Sequence, residues 1–187
     1  PISAASVIDA FRIVVTNRLS LCYTVATTLL FGSLFGFINS AQQIYDGIYG
    51  LGVWFPVLFA CVASMMAVSS YANARLVGRF GMRRLSHGAL IGYLTVNVII
   101  FALALAGPIP LWLFVGLFTI GMLQFGWIGS NFNTIAMEPL GHVAGTASAV
   151  QGFVQTIGGG VIGAAIGQAF DGTVVPFTAG LCILASG

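Results

Sequence analysis

The chain has no lysine, and charge of either sign is scarce: six arginines and four carboxylates among 187 residues. Charged residues make up 5% of the sequence, against about 25% in a soluble domain. A chain this poor in charge and 58% hydrophobic cannot cover a surface facing water. Its mean hydropathy of +1.03 places it in a membrane. No basic stripe interleaved with exposed aromatics is present, so a nucleic-acid partner is not expected. The three cysteines, Cys22, Cys61 and Cys182, each sit inside an apolar run, too far apart for a metal knuckle or a disulfide framework. The two histidines and four carboxylates are scattered. No metal, no cofactor and no enzyme chemistry is expected. No basic stretch followed by an apolar core opens the chain, so no signal peptide is read. The expectation is a piece of a longer protein.

Where charge does occur, it is concentrated. Asn73 to Leu85 reads Asn-Ala-Arg-Leu-Val-Gly-Arg-Phe-Gly-Met-Arg-Arg-Leu and carries Arg75, Arg79, Arg83 and Arg84. Apolar runs flank it on both sides. A short arginine-rich loop between two such runs belongs in the cytoplasm by the positive-inside rule. Crossing a core of about 30 Å takes about 20 helical residues, and the remaining segments follow from that length. Residues 1–18 form a cytoplasmic lead-in, with Ile8, Phe11 and Val15 at helical spacing for a helix on the membrane surface. Residues 19–187 form the transmembrane bundle, with spans from about Leu19 to Gln43, Trp54 to Asn73, Ser86 to Leu105, Leu111 to Ile135 and Val143 to Phe170. A sixth begins near Pro176 and is cut short. All six arginines then fall inside, while Asp46 and Asp171 fall in outer turns. Tyr45 and Tyr49 are expected at the outer interface, with Trp54 and Tyr71 marking the two ends of the second span. His87 and His142 stand at the inner ends of the third and fifth spans, as interfacial or capping residues. Gly32 and Gly36 on the first span, and Gly159, Gly163 and Gly167 on the fifth, are spaced four apart for close helix packing.

No charged residue falls in the middle of a span, so polar chemistry at depth rests on amides. Gln124 lies midway along the fourth span and shares a face with Trp127 and Asn131. Gln151 and Gln155 lie midway along the fifth, four apart. Phe31 and Phe35 stand one turn apart on the first span, and Met65 and Met66 lie near mid-depth on the second. Each amide alone is read as a helix–helix hydrogen bond, worth on average about 0.6 kcal/mol. Together they suit a cavity near mid-membrane lined by Gln124, Gln151 and Gln155, with Trp127, Phe31, Phe35 and Met65 as its apolar wall. On the cytoplasmic face Glu138 is expected to pair with an arginine of the loop, Arg75 or Arg79 before the others.

The residues that carry a family resemblance are now in view. The stretch Asn73 to Leu85 resembles the loop between the eighth and ninth helices of major facilitator transporters, above all the bicyclomycin/chloramphenicol-resistance type of drug:proton antiporter. The run from Ala136 through Glu138-Pro139 to Gly145-Thr-Ala-Ser-Ala and Gly152 resembles the same subfamily's entry into its eleventh helix, and Phe37-Ile-Asn-Ser the end of its seventh. Gly78 stands where the superfamily loop has an Asp, and Met82 where a basic residue is common. The resemblance implies an all-α bundle that is the carboxyl half of a twelve-helix transporter, built from two inverted three-helix repeats. It also implies a loop motif of Asn73, Arg75, Arg79, Gly81, Arg83, Arg84 and Glu138. The expected partners are the lipid bilayer, a small-molecule substrate and the amino-terminal half. The expected function is proton-coupled export of small amphipathic compounds across the bacterial inner membrane. Two other readings stay open: a non-transporting membrane subunit or receptor, and a metabolite or sugar transporter of the same fold.

Overall fold

The computed structural model describes residues 4–187, with side chains for all but residues 4–7, 10 and 142. The first three residues of the lead-in and the side chain of His142 therefore lie outside the described residues. The rest is helical: α1 (Ala4–Thr16), α2 (Arg18–Gln42), α3 (Phe55–Phe80), α4 (Met82–Ala106), α5 (Leu111–Met137), α6 (Ala144–Gln168) and α7 (Val175–Ser186). Among the described residues, five helices are long and apolar enough to cross a membrane, so the chain is an all-α, multi-pass membrane bundle.

Local chemistry explains the boundaries. Asn17 ends α1 and caps α2, its side-chain oxygen accepting from the Ser20 N–H at 3.1 Å. Prolines at the first turns of α3 and α7 start those helices where a missing N–H costs nothing. The arginine-rich stretch is not the loop that its composition implied. Residues up to Phe80 stay in α3, Met82 already begins α4, and the turn is the single residue Gly81 at φ +80°, a conformation a Cβ disfavours. With no polar backbone to satisfy in a longer loop, the helices run to their full length.

The bundle is built from two interlocked triplets. The first helix of each packs on the middle helix of the other, α2 on α6 and α5 on α3, while α4 and α7 pack together behind. In both interlocked pairs the helices run parallel. Ser20, Gly32 and Asn39 of α2 meet Gln151, Ile162 and Gly167 of α6 in ascending order, and Ser69 and Asn73 of α3 meet Trp127 and Asn131 of α5. The α2–α6 seam is the closest. A Cβ on Gly159 would lie 2.8 Å from the Phe31 Cβ, and one on Gly163 would lie 2.7 Å from the Gly36 nitrogen. The expected glycine stripe thus meets backbone, which only a side chain of a single hydrogen permits.

Two expectations about the ends change. Tyr45 is fully buried, its ring against Phe37, Phe55 and Phe114. The cause is that α2 does not stop at Gln42 but widens into π-helical turns, Gln43–Ile48, which swing Tyr45 over the core. Tyr49 is half-buried and donates to the Ile109 carbonyl at 2.9 Å. By contrast Trp54 and Tyr71 are 66% and 64% exposed, open to an interface. On α1, Val14 is buried against Leu140, Ala147 and Val150, with Ile13 packed beside it, while Ile8, Phe11 and Val15 are exposed.

Candidate functional site

The deep amides fall at two separate places. Gln151 donates to the Ser20 hydroxyl at 3.2 Å. Gln155 donates to the Thr27 hydroxyl at 2.9 Å and to the Asn133 side-chain oxygen at 2.8 Å. Both glutamines are buried, and Gln155 ties α6 to α2 and α5 at one point. Phe31 and Phe35 lie farther along the same seam, half-buried, ring centroids 6.3 Å apart. Their backbone backs directly on Gly159 and Gly163.

Gln124 is not part of this junction. Nine residues separate it from Asn133, and nine steps of about 100° end on the opposite side of the helix. It faces α4 instead, donating to the Ile120 carbonyl at 3.2 Å with its oxygen against Gly92. The expectation that Gln124, Gln151 and Gln155 line one cavity is therefore corrected. Its expected face-mates do share its side of α5 and seam it to α3. The Trp127 indole donates to the Ser69 carbonyl at 2.9 Å, Asn131 donates to the Asn73 side chain at 2.8 Å, and the Ser69 hydroxyl donates to the Leu123 carbonyl. Trp127 thus lines a groove with Gln124, not a wall with Phe31. Met65 is half-buried on α3.

Sequence reasoning passed over the partners. Ser20, Thr24 and Thr27 recur at i, i+4, i+7 and are all buried, a one-face helical spacing of the same kind as the i, i+3, i+7 of Gln124, Trp127 and Asn131. Asn133 carried a signal only once its neighbour across the seam was known. A second cavity, of about 330 Å³, opens between α2, α4, α5 and α7, with Tyr23 and His87 at its polar rim and Leu30, Leu90 and Phe132 among its apolar lining.

At the arginine end, Glu138 pairs with Arg83 at 3.2 Å, not with Arg75 or Arg79. The single-residue turn explains it: Arg83 sits in the first turn of α4, which packs antiparallel to α5 and so lies beside its last turn. Arg75 donates to the Tyr71 hydroxyl at 2.7 Å and lies over its ring. Arg79 lies over Phe80. Arg12 and Arg18 stand on α1 and at the start of α2, so all six arginines gather at one end of the bundle. Asp46 and Asp171 cap turns at the other: Asp46 accepts from the Gly52 N–H, and Asp171 from the Thr173 N–H and hydroxyl.

Comparison with known proteins decides the family. The family profile described as "Major Facilitator Superfamily" matches residues 2–164. The chain belongs to the major facilitator superfamily. Among curated relatives, a protein named "Bicyclomycin resistance protein homolog" from Haemophilus influenzae is 31% identical over 169 residues, covering 88% of this chain and 42% of the relative. One named "Uncharacterized MFS-type transporter YdgK" from Bacillus subtilis is 24% identical over 175 residues, covering 89% of this chain and again 42% of the relative. The chain thus spans less than half the length of either relative. No solved structure matches it. The two interlocked triplets are what one half of a major facilitator bundle requires, and the first relative agrees with the subfamily that the Glu138-to-Gly152 run resembles.

Proposed function

We propose that this chain is the carboxyl-terminal half of a secondary transporter that exports small amphipathic compounds across the bacterial inner membrane in exchange for protons. The observation that carries the reading is the uncovered side of the bundle. The most apolar window of α3 is only 11% buried, against 39% for those of α2 and α5. Its exposed side carries small residues, Ala60, Ser64, Ala67, Ala74 and Gly78. The exposed side of α6 does the same with Gly145, Ala149, Gly152 and Thr156. Small residues let a second set of helices approach closely where lipid alone would not need them. An amino-terminal half seated on α3 and α6 would enclose a path along α2 and α5.

In this proposal the substrate meets Phe31, Phe35 and Met65 as apolar wall and Asn133 as its polar contact. Gln155 holds Asn133 in position, and Gln151 holds α6 to α2. A few polar groups in an apolar lining orient a ligand without demanding one shape. Asp46, Glu138 and Asp171 stand at helix ends or turns, and Asp9 lies within α1, outside the membrane-length helices, so the proton-carrying group belongs to the other half. The arginine end faces the cytoplasm.

The hydrogen bonds of Gln151 and Gln155 favour a second reading for those two residues, in which they only join helices. Transport assays with the intact protein separate the cases. Asn133→Leu and Phe31→Ala should each change which compounds are exported while membrane insertion stays normal, whereas Gln151→Leu should change stability alone. If both of the first two variants export every tested compound as the parent does, the proposed site is wrong.

A further inference from the structure

The four arginines around Gly81 are not equally occupied. Arg83 is paired with Glu138, Arg75 with the Tyr71 hydroxyl, and Arg79 rests on the Phe80 ring. Among the described residues, no ion pair or hydrogen bond engages Arg84. It stands at the mouth of a groove of about 450 Å³ between α3, α4 and α5, a place where α3 and α4 pack on α5 far more than on each other. Phe80 and Trp127 form the walls, and Gly88 and Ala89 keep the floor shallow. A Cβ on Gly88 would meet nothing within 4 Å. From Arg84 the groove runs along α4 to Gln124, which abuts Gly92. Eight residues at 1.5 Å each make that about 12 Å of depth.

A free cation at the membrane boundary above an apolar slot matches one kind of molecule in shape and charge. We propose that the Arg84 groove is a site for an anionic phospholipid, its phosphate against the Arg84 guanidinium and an acyl chain lying along Gly88 and Trp127. Arginine suits the role because its planar fork holds a phosphate by two hydrogen bonds while its stem lies on apolar surface. Basic pockets between membrane helices select anionic head groups in this way. Glu138, which flanks Arg84 across a neighbouring shallow pocket, already has its charge satisfied by Arg83. The proposal does not depend on the transport reading.

Trp127 reports on the groove directly. With Trp54→Phe and Trp112→Phe in place, it is this chain's remaining tryptophan, and lipids brominated on the acyl chain quench it on contact. The protein is reconstituted in brominated phosphatidylcholine, alone or mixed with brominated phosphatidylglycerol. Phosphatidylglycerol should associate at Trp127 about fivefold more strongly, the ratio expected for one cation near an anionic head group. Arg84→Gln should abolish the preference while phosphatidylcholine still quenches, which shows the groove intact. Arg75→Gln should leave the preference in place, and Gly88→Leu should shield Trp127 from both lipids. Equal association of the two lipids in the parent, a preference that survives Arg84→Gln, or quenching undiminished by Gly88→Leu would each overturn the proposal.

Discussion

Gly163 offers the sharpest test of how the bundle is held together. An alanine there would place its Cβ 2.6 Å from the Phe35 carbonyl carbon and 2.7 Å from the Gly36 nitrogen. Carbon atoms in ordinary contact stand about 3.5–4.0 Å apart, so α2 and α6 must part by about 1 Å. Both obstructing atoms are backbone, and no rotamer change relieves them. A gap of that size forfeits roughly a quarter to a half of each dispersion contact beside it. It also stretches the Gln155–Thr27 bond, two turns away at 2.9 Å. Overpacking of this kind costs about 1–3 kcal/mol, and Gly163→Ala belongs at the upper end because the whole seam must move. Gly160 is the control. It lies on the same helix, and a Cβ there meets nothing within 4 Å. Gly160→Ala should be neutral or stabilising, by up to about 1 kcal/mol of helix propensity. Unfolding of both variants in detergent, by SDS titration or by thermal exposure of the buried helices, gives the comparison. If the two alanine variants agree within about 0.5 kcal/mol, the range of an inconsequential surface change, the close α2–α6 approach is wrong.

The amide bonds predict an order. Gln155→Leu loses two interhelical donors and Gln151→Leu one, so at about 0.6 kcal/mol each the first should cost more in the same unfolding assay, and the reverse order would refute the assigned partners. Arg83→Gln should cost less than about 1 kcal/mol because both partners are exposed, and a double-mutant cycle with Glu138→Gln should show a coupling that shrinks with added salt. The Asp171 carboxyl is held below its usual range, first by the Thr173 hydroxyl and then by the Thr173 N–H. A lowered folded-state value means that its contribution is complete above the ordinary carboxylate range and fades as pH falls through the lowered value. Protection of the Val175 amide, which donates to the Thr173 hydroxyl, measured against its intrinsic exchange rate at each pH, should therefore fall only in acid, and no acid-specific loss of protection would count against the cap. Cysteines placed at Gly47 and Gly172 should label from outside the cell, and those at Met82 and Gly141 from inside. Outside labelling at Met82 would invert the orientation.

The number of spans, their order and the gathering of all arginines at one end were legible in the linear chain. Each follows from a local quantity: the length of an apolar run or the position of a cation. The glycine stripe at 159, 163 and 167 was legible for the same reason, since a four-residue spacing keeps one helix face whatever it packs against. The shared face of Gln124, Trp127 and Asn131 also held. What that face looks at did not follow, because periodicity orients residues about their own helix axis and says nothing of which neighbour stands on which side. Gln124 and Gln155 lie at comparable depths, yet only the packing of α5 between α3 and α2 decides that Gln124 turns to α4 while Gln155 meets Thr27 and Asn133. The Glu138 partner was open for a related reason: whether Arg75, Arg79 or Arg83 reaches it depends on where the chain turns, and that rests on the backbone of one glycine. Tyr45 went inward because the end of α2 widened into π-helical turns. Aromatic character alone suits a buried ring and an interfacial one equally, and only the cavity left by Phe37, Phe55 and Phe114 chose between them.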